Sequence, residues 1–136
     1  MNYFFEDIKE FHVSKEIFVL IENMISDQKK KKGEINFIFC SDPYILKLNK
    51  DYLEHDYYTD VITFDYCEND VISGDVFIGT ETVKDNAKNF EESFENELHR
   101  VMIHGVLHLL GYNDKTDGEQ EEMTILEDFY LKKLYE

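Results

Sequence analysis

The sequence predicts a single α+β domain in which a small mixed β-sheet packs against helices. The chain has 136 residues, which is the usual size of one domain. Apolar residues make up 43% of it and aromatic residues 15%, enough to build a core. Strand-like and helical runs alternate in the first half, and helical runs alone fill the end of the chain. We therefore expect residues 1–136 to form one domain, without a linker or an internal repeat.

The N-terminal region predicts a helix that begins after Ser14, a residue suited to capping. Apolar residues recur at helical spacing from there to Ile25. Four lysines, Lys29–Lys32, are expected to form the end of this helix, because positive charge suits the negative end of a helix dipole. Gly33 is expected to stop it.

The next segments predict a strand and a second helix. Residues 34–40 alternate between polar and apolar and end at a Ser-Asp-Pro sequence. Asp42 is expected to cap a helix with Pro43 in its first turn, and this helix should reach about Tyr52.

The second half of the chain predicts a strand pair followed by helices. Residues 61–66 and 75–79 are rich in β-branched and aromatic side chains, and the acidic stretch between them favours a hairpin-like pair. Three helices should follow: one over 83–89, one after Ser93, and one that opens with the capping box Thr116–Glu119. The predicted order is β, α, β, α, β, β and then helices. The first strand of this order is the one element for which no residue range is predicted.

Charge and targeting signals limit the classes of function. Thirty acidic and fourteen basic side chains give a net charge of -16, which excludes a protein that binds nucleic acid by general phosphate neutralisation. The N-terminus carries acids where a secretion signal would carry bases, and no apolar run could span a membrane. Cys40 and Cys67 are expected to be reduced thiols within strands. We expect a soluble cytoplasmic protein.

The run from His104 to Asp114 predicts a metal site. Residues four apart on a helix are neighbours, about 5–6 Å apart at Cβ, so His104 and His108 can face one ion. Gly111 is expected to end the helix and fold the chain back, which lets Asp114 approach from a third direction. Three protein ligands with an open position for water are typical of a catalytic site, and imidazole with carboxylate suits one Zn²⁺, with another divalent ion as the alternative.

Other residues on this helix are interpreted differently. A zinc protease carries a glutamate base directly after its first histidine, where this chain has Gly105, so the metal frame is present without that base. His99 faces away from the histidine pair and is expected to be a surface or packing residue. Glu97 lies ~10 Å along the axis from His104, too far to be a ligand. It is expected to be solvated, with a role in supporting the ligands or facing the substrate as the alternative. The alternative is a purely structural role, in which His104 and His108 are hydrogen-bonded core residues before an ordinary helix-ending turn.

These residues resemble the YbeY family of bacterial rRNA maturation factors. The run HGVLHLLGY with Asp114 is similar to the family's HGxLHLxGYDH. Upstream, residues 48–64 resemble LNxxYRxxDxxTDVLSF, with Asp56 at the aspartate before TDVLSF, and Gly74–Ile78 resembles GDIxI. Glu121–Met123 is similar to the family's EEM. The resemblance covers roughly residues 40–130 in the same order.

The resemblance implies a zincin-related α+β fold and a metal-dependent, single-strand-specific endoribonuclease. It also implies a role in processing the 3′ end of small-subunit rRNA and in ribosome quality control. RNA and the small ribosomal subunit or its proteins would then be the partners, with neither DNA nor a membrane involved.

Three departures from the family pattern bear on catalysis. The usual third ligand, His, is Asp114 here, which lowers the positive charge of the site, and the residue before it is Asn113 instead of Asp. The family's arginine after Tyr52 is replaced by Leu53. That arginine would suit a phosphate and transition-state charge, and Lys50, or else Lys47, is the candidate substitute.

The predicted mechanism is hydrolysis of an RNA phosphodiester by a metal-bound water, with no side chain assigned as general base. Asp60 and Asp75 are candidates either to cap turns or to position the ligand histidines. Phe64 and Tyr66 could stack bases if exposed, although core packing is commoner for such residues.

Two alternatives remain open. One is a different hydrolase, such as a peptidase or amidase, on the same metal frame. The other is a ribosome-assembly binding factor with a structural metal, whose acidic faces meet basic ribosomal proteins. If RNA is the substrate, some of the basic side chains should form a positive cleft around the ion; these are Lys29–Lys32, Lys47, Lys50, Lys84, Lys88 and Arg100.

Overall fold

A computed structural model describes residues 1–53 and 59–136 of the chain. Asp56, which carries part of the family resemblance, lies outside the described residues. Four strands and five helices follow in the order β1 (Asn2–Glu6), α1 (Lys15–Asp27), β2 (Lys31–Cys40), α2 (Asp42–Leu53), β3 (Val61–Asp65), β4 (Val71–Gly79), α3 (Thr80–Asn89), α4 (Phe94–Leu109) and α5 (Asp117–Leu134).

The strands form one mixed sheet in the order β1-β2-β4-β3. β1 pairs with β2 and β2 pairs with β4 in parallel, whereas β3 runs antiparallel to β4. This confirms the predicted α+β fold with a mixed sheet and locates the first strand. β3 is an edge strand, and the functional site described below lies beside it.

The main core lies between one face of the sheet and helices α1, α4 and α5. Alternate residues of β2 point into it because successive side chains of a strand face opposite sides. Ile35, Phe37 and Phe39 are fully buried there, against Ile17 of α1 and Met102 of α4. Helix α2 covers part of the other face, where a smaller cluster forms around Ile45, Ile62 and Cys40.

The predicted end of α1 is wrong. The helix ends at Asp27, and Lys29 takes the left-handed backbone conformation after it, with a φ of 59°. Lys31, Lys32 and Gly33 belong to β2 instead, since Lys31 and Lys32 pair with the first residues of β4. Strand pairing over a distance of about forty residues therefore overrides the local helix signal.

Gly33 has a packing role in place of a helix stop. A Cβ at this position would lie 2.0 Å from the Ser73 Oγ on the neighbouring strand, so only glycine allows the two strands to approach. The cap of α2 also differs from the prediction. The Ser41 hydroxyl accepts a hydrogen bond from the Tyr44 amide at 3.2 Å, so Ser41, and not Asp42, caps this helix.

The predicted starts of α1, α4 and α5 are confirmed, whereas α3 begins at Thr80, directly after β4, and not at residue 83. Ser14 and Ser93 accept hydrogen bonds from the first-turn amides of α1 and α4, and Thr116 with Glu119 forms the predicted capping box of α5. Cys40 is a buried free thiol in β2, as expected. Cys67 is also a free thiol, but the prediction of a strand there is wrong: β3 ends at Asp65, and Cys67 is half-buried in the turn that leads to β4. Within residues 1–53 and 59–136, none of the helices is sufficiently long and apolar to cross a membrane.

Candidate metal centre

Helix α4 presents His104 and His108 on the side that faces the edge strand. Gly105, between them, faces the sheet: a Cβ there would lie 2.6 Å from the Val76 Cγ1. The glycine therefore lets the helix lie directly on β4. Position 105 is used for packing, which explains physically why it carries no glutamate base.

The chain reverses direction directly after the two histidines. Gly111 has a φ of 102°, a conformation that side chains of L-residues disfavour. The Tyr112 amide donates to the Leu107 carbonyl at 3.0 Å and closes the turn. The side chain of Gln120 donates to the Asp114 carbonyl at 3.0 Å, which fixes the loop that carries this residue. The predicted turn brings Asp114 back towards α4.

Three ligand atoms meet at the end of this turn. The His104 Nε2 lies 3.0 Å from the His108 Nε2. The Asp114 Oδ2 lies 3.2 Å from the first nitrogen and 3.3 Å from the second. All three side chains are partly exposed, so a ligand can reach them from solvent. The structure thus brings together the three residues that the sequence singled out.

The hydrogen-bond partners determine which imidazole nitrogens are free. The His108 Nδ1 lies 3.0 Å from the Tyr112 carbonyl, which can only accept, so this nitrogen carries the proton. The His104 Nδ1 lies 2.6 Å from the Glu127 carboxylate and is the donor in the same way. Both Nε2 atoms therefore present lone pairs to each other and to the Asp114 oxygen.

Three converging lone pairs repel each other unless a positive charge lies between them. A proton on one imidazole would serve, and so would a metal cation. Ligand atoms of a tetrahedral Zn²⁺ at about 2.0–2.1 Å lie about 3.3 Å apart, close to the observed separations. The donor set therefore fits a Zn²⁺ ion, and its carboxylate also suits other divalent cations.

Two cavities flank the three residues. The first has a volume of about 330 Å³ and lies between α4, α2 and β3. Its described lining consists of Asn49, Leu53, Thr59, Asp60, Val61, Ile62, Thr63, His104, His108 and Asp114. The second, of about 290 Å³, lies towards α5 and is lined by His104, Asp114, Gln120, Met123, Thr124 and Glu127. A ligand at the three residues would have room on both sides.

Titratable groups around the site have shifted pKa values. Burial raises the pKa of Asp60, which lines the first cavity. Burial lowers the pKa of His104, but its hydrogen bond to Glu127 and the charges of Glu127 and Asp114 outweigh this, so the net shift is upward. Glu97 is only 5% exposed, so the expectation of a solvated side chain is wrong, and burial raises the pKa of its carboxyl.

Glu127 and Arg100 form part of the site although the sequence analysis did not assign Glu127 any role. The Glu127 carboxylate is 6% exposed and contacts the His104 imidazole with one oxygen. Its other oxygen accepts from the Arg100 Nη1 at 3.0 Å, and the Arg100 Nη2 donates to Asp128 at 2.6 Å. A signal was present in the sequence, because Glu127 interrupts the buried stripe of α5 that includes Met123 and Leu131.

The expected positive cleft is not present in the described lining of either cavity, which contains no lysine or arginine. Lys47 and Lys50 are exposed on α2 and are not among the residues that line the first cavity. Leu53, which replaces the family's arginine, does line it and is 41% exposed. Arg100 faces two carboxylates, Glu127 and Asp128, and so is already paired.

The remaining candidates lie elsewhere. The Asp75 carboxylate accepts from the Asn36 side chain at 3.0 Å on the outer face of the sheet, so a role in positioning the ligand histidines is ruled out. Phe64 packs edge-on against Phe77, whereas Tyr66 is 59% exposed. His99 is a packing residue, as expected: it is 3% exposed and does not face the metal site.

The fold and the site together define a class: a small α+β protein with two helical histidines and a carboxylate able to hold one divalent cation in an open cleft. The chain belongs to the YbeY family, since the family model described as "Endoribonuclease YbeY" matches residues 3–135.

Curated relatives are similar over most of their length. The Endoribonuclease YbeY of Phocaeicola vulgatus is 54% identical over 90% of this chain and 86% of the relative. The protein of the same name from Parabacteroides distasonis is 50% identical over 89% and 86%. That from Flavobacterium johnsoniae is 52% identical over 77% and 76%. The resemblance found in the sequence is therefore confirmed.

A solved structure has the same fold. A solution structure from Thermotoga maritima superposes with a TM-score of 0.69 at 30% sequence identity. The match covers 99% of this chain and 89% of that one. The shared architecture therefore extends beyond the motif run to the N-terminal third, where the sequence alone matched the family only in the order of its elements.

Proposed function

We propose that this chain is a zinc-dependent endoribonuclease, a single hydrolase domain over residues 1–136, that cleaves single-stranded RNA during maturation of the small-subunit rRNA. The observation that carries the proposal is the convergence of three potential ligand atoms, two His Nε2 and one Asp Oδ2, beside an open cavity. Membership of the endoribonuclease family supports the same chemistry.

In this proposal His104, His108 and Asp114 hold the cation. When bound, Zn²⁺ acts as a Lewis acid towards a phosphoryl oxygen and lowers the pKa of a coordinated water towards about 7. The cavity of about 330 Å³ has room for a nucleotide segment. Asp60 stands in its wall, and burial raises the pKa of this carboxyl, so we propose it as the group that exchanges a proton with RNA bound in the cavity.

We infer that the RNA is presented by the small ribosomal subunit in the cytoplasm. The net charge of -16 opposes binding of free RNA, and equally of DNA or an anionic membrane. The described lining of the cavity offers no cationic side chain for phosphates. Affinity would then come from the bound cation and from contacts between acidic faces of the protein and basic ribosomal proteins.

The test compares the parent protein with two histidine variants. His108→Ala removes one proposed ligand, and His12→Ala removes an exposed imidazole from a distant position. Parent and His12→Ala should hold one metal ion by elemental analysis and cleave single-stranded RNA, with activity lost in a chelator and restored by Zn²⁺ or Mn²⁺. His108→Ala should do neither. Equal cleavage by His108→Ala, or a parent without metal, contradicts the proposal; digestion of casein in preference to RNA would indicate a peptidase.

A second candidate function is a ribosome-assembly factor with a structural metal. The observation in its favour is the neutral Leu53 in the cavity wall together with the lack of lysine and arginine in the described lining. Complementation of a deletion strain separates the two. If His108→Ala restores processing of the small-subunit rRNA 3′ end as well as the parent, the assembly role is supported and the nuclease role is not.

A further inference from the structure

Glu127 is a buried carboxylate that joins the candidate metal centre to a partly exposed ion pair, Arg100 with Asp128. It lies on α5, and its two carboxylate oxygens have separate partners on α4: the His104 Nδ1 at 2.6 Å and the Arg100 Nη1 at 3.0 Å. Its side chain is 8% exposed and that of Arg100 29%. Arg100 is itself oriented by Asp128 at 2.6 Å. The contacts form one chain, Asp128–Arg100–Glu127–His104, that ends at the Nδ1 of His104, the ring nitrogen opposite the proposed ligand atom Nε2.

The Arg100 Nη1 donates to one oxygen of the Glu127 carboxylate at 3.0 Å, and the other oxygen faces the His104 Nδ1. An ionised carboxylate can only accept hydrogen bonds. The proton between Glu127 and His104 therefore belongs to the imidazole Nδ1. Since a neutral imidazole carries only one N–H, the Nε2 of His104 is left as a lone pair that points at His108 and Asp114.

His108 has a different support. Its Nδ1 donates to the Tyr112 carbonyl, a neutral acceptor within the same turn. A carboxylate is the stronger acceptor and makes the opposite nitrogen of the ring more basic. The two histidines therefore have the same tautomer but different acceptors at Nδ1. His104 donates to a carboxylate, and His108 donates to a neutral carbonyl.

We propose that Glu127, fixed by Arg100, is a positioning residue that holds the His104 ring in the orientation and tautomer required to bind the cation. This rests on the proposed function only in that a divalent cation binds at His104, His108 and Asp114. Glu127 acts through His104 and contacts no substrate in this role. The distance of 23 residues between the two in sequence means that the docking of α5 on α4 completes the site.

The test measures cation affinity in the absence of RNA. Co²⁺ and Zn²⁺ are titrated, with a competing chelator, into the metal-free parent, Glu127→Gln and the matched control Asp128→Asn. The last variant removes the other carboxylate of Arg100 and leaves the Glu127–His104 contact in place. We expect about a 10- to 100-fold loss of affinity and an altered Co²⁺ absorption spectrum in Glu127→Gln. Asp128→Asn should stay close to the parent. Equal affinities and spectra in all three proteins overturn the proposal.

A second measurement needs no variant to fold. Nitrogen-15 NMR of the imidazoles in the metal-free parent, at a pH at which His104 is neutral, should report a proton on Nδ1 of both His104 and His108. A proton on the Nε2 of His104 overturns the proposal.

These outcomes are independent of catalysis. If Glu127→Gln weakens the cation and the parent does not cleave RNA, the positioning role stands and the proposed nuclease function fails. If the parent cleaves RNA and Glu127→Gln binds the cation normally, the nuclease function stands and the positioning role fails.

Discussion

Helix α4 contains two histidines in opposite settings, only five residues apart. His99 is 3% exposed, its Nδ1 lies 2.7 Å from the Tyr135 hydroxyl, and burial lowers its pKa. His104 is also largely buried, yet its contact with Glu127 and the charges of Glu127 and Asp114 raise its pKa against the effect of burial. Burial alone favours the neutral ring, and only the added carboxylates make the second position attractive to a positive charge. A histidine becomes a ligand candidate through its neighbours.

The largest expected effect is a loss of Zn²⁺ affinity when Asp114, one of the carboxylates that distinguish His104 from His99, is removed. Asp114→Ala removes one of the three ligand atoms and should weaken Zn²⁺ binding by more than about 100-fold, beyond the effect of losing a supporting residue. His99→Gln should leave the affinity unchanged, because His99 does not face the site. Asp114→His supplies another ligand nitrogen and should retain binding. Chelator competition measures all three, and a normal affinity in Asp114→Ala would show that the cation binds elsewhere.

The next effect concerns how closely the metal-binding half of α4 approaches the sheet. Gly105→Ala would place a Cβ 2.6 Å from the Val76 Cγ1. The resulting strain should exceed the gain from replacing a helical glycine and destabilise the fold by about 1–2 kcal/mol in urea unfolding. Gly118→Ala is the matched control, since nothing lies within 4 Å of its Cβ position. It should be neutral or stabilising, and equal losses in both variants would argue against the clash.

The pH dependence sharpens the comparison further. The folded-state pKa of His99 is below that of the unfolded chain, so below about pH 6.5 the unfolded state binds more protons. Stability from the neutral His99 is therefore complete above this pH and is lost as the pH falls. One extra proton contributes a slope of at most about 1.4 kcal/mol per pH unit.

His104 in the metal-free protein has the opposite sign. Its raised pKa means that its contribution is complete below about pH 6.5 and is lost as the pH rises through the folded-state value. Urea unfolding of His99→Gln and His104→Gln between pH 5 and 8 should show that the first variant loses less stability on acidification than the parent, and the second loses more. Parallel curves for the parent and His99→Gln would contradict the burial of a neutral ring.

The smallest effect is expected at the far end of α4. Tyr135→Phe removes the hydroxyl that contacts His99 and should cost about 0.5–1.5 kcal/mol of unfolding free energy. Zn²⁺ affinity should not change, because this contact belongs to the other half of the helix. A weaker metal site in Tyr135→Phe would mean that the two halves are coupled.

The cluster of candidate ligands could be predicted because its geometry is local. His104, His108 and Asp114 lie within eleven residues, and helix spacing with a glycine turn relates them directly. Glu127 could not be placed in this way, since its contact with His104 depends on how α5 docks on α4. A charged residue among the buried positions of α5 was the available sign of such a contact.

The fold class and most element starts were predictable for the same reason, because Ser14, Ser93 and the Thr116 box act within one helical turn. The errors arise where distant segments pair. The lysines before Gly33 were assigned to a helix end, but pairing with β4 draws Lys31 and Lys32 into a strand. The expected positive cleft also failed for this reason. The sequence positions of the basic residues do not show that Arg100 pairs with carboxylates on α5.

Glycine is needed at position 111 because of the left-handed backbone conformation there, and not because a side chain would lack space. Its φ is 102°, yet nothing lies within 4 Å of the position that a Cβ would occupy. An L-alanine there would meet only its own backbone strain, about 1–2 kcal/mol, with no clash against the rest of the protein. A D-alanine introduced by chemical synthesis has the mirror-image preference and should fit this turn while restricting the unfolded chain. The turn before Asp114 thus depends on chirality: it requires a backbone conformation that L-residues disfavour, and glycine adopts it because it is achiral.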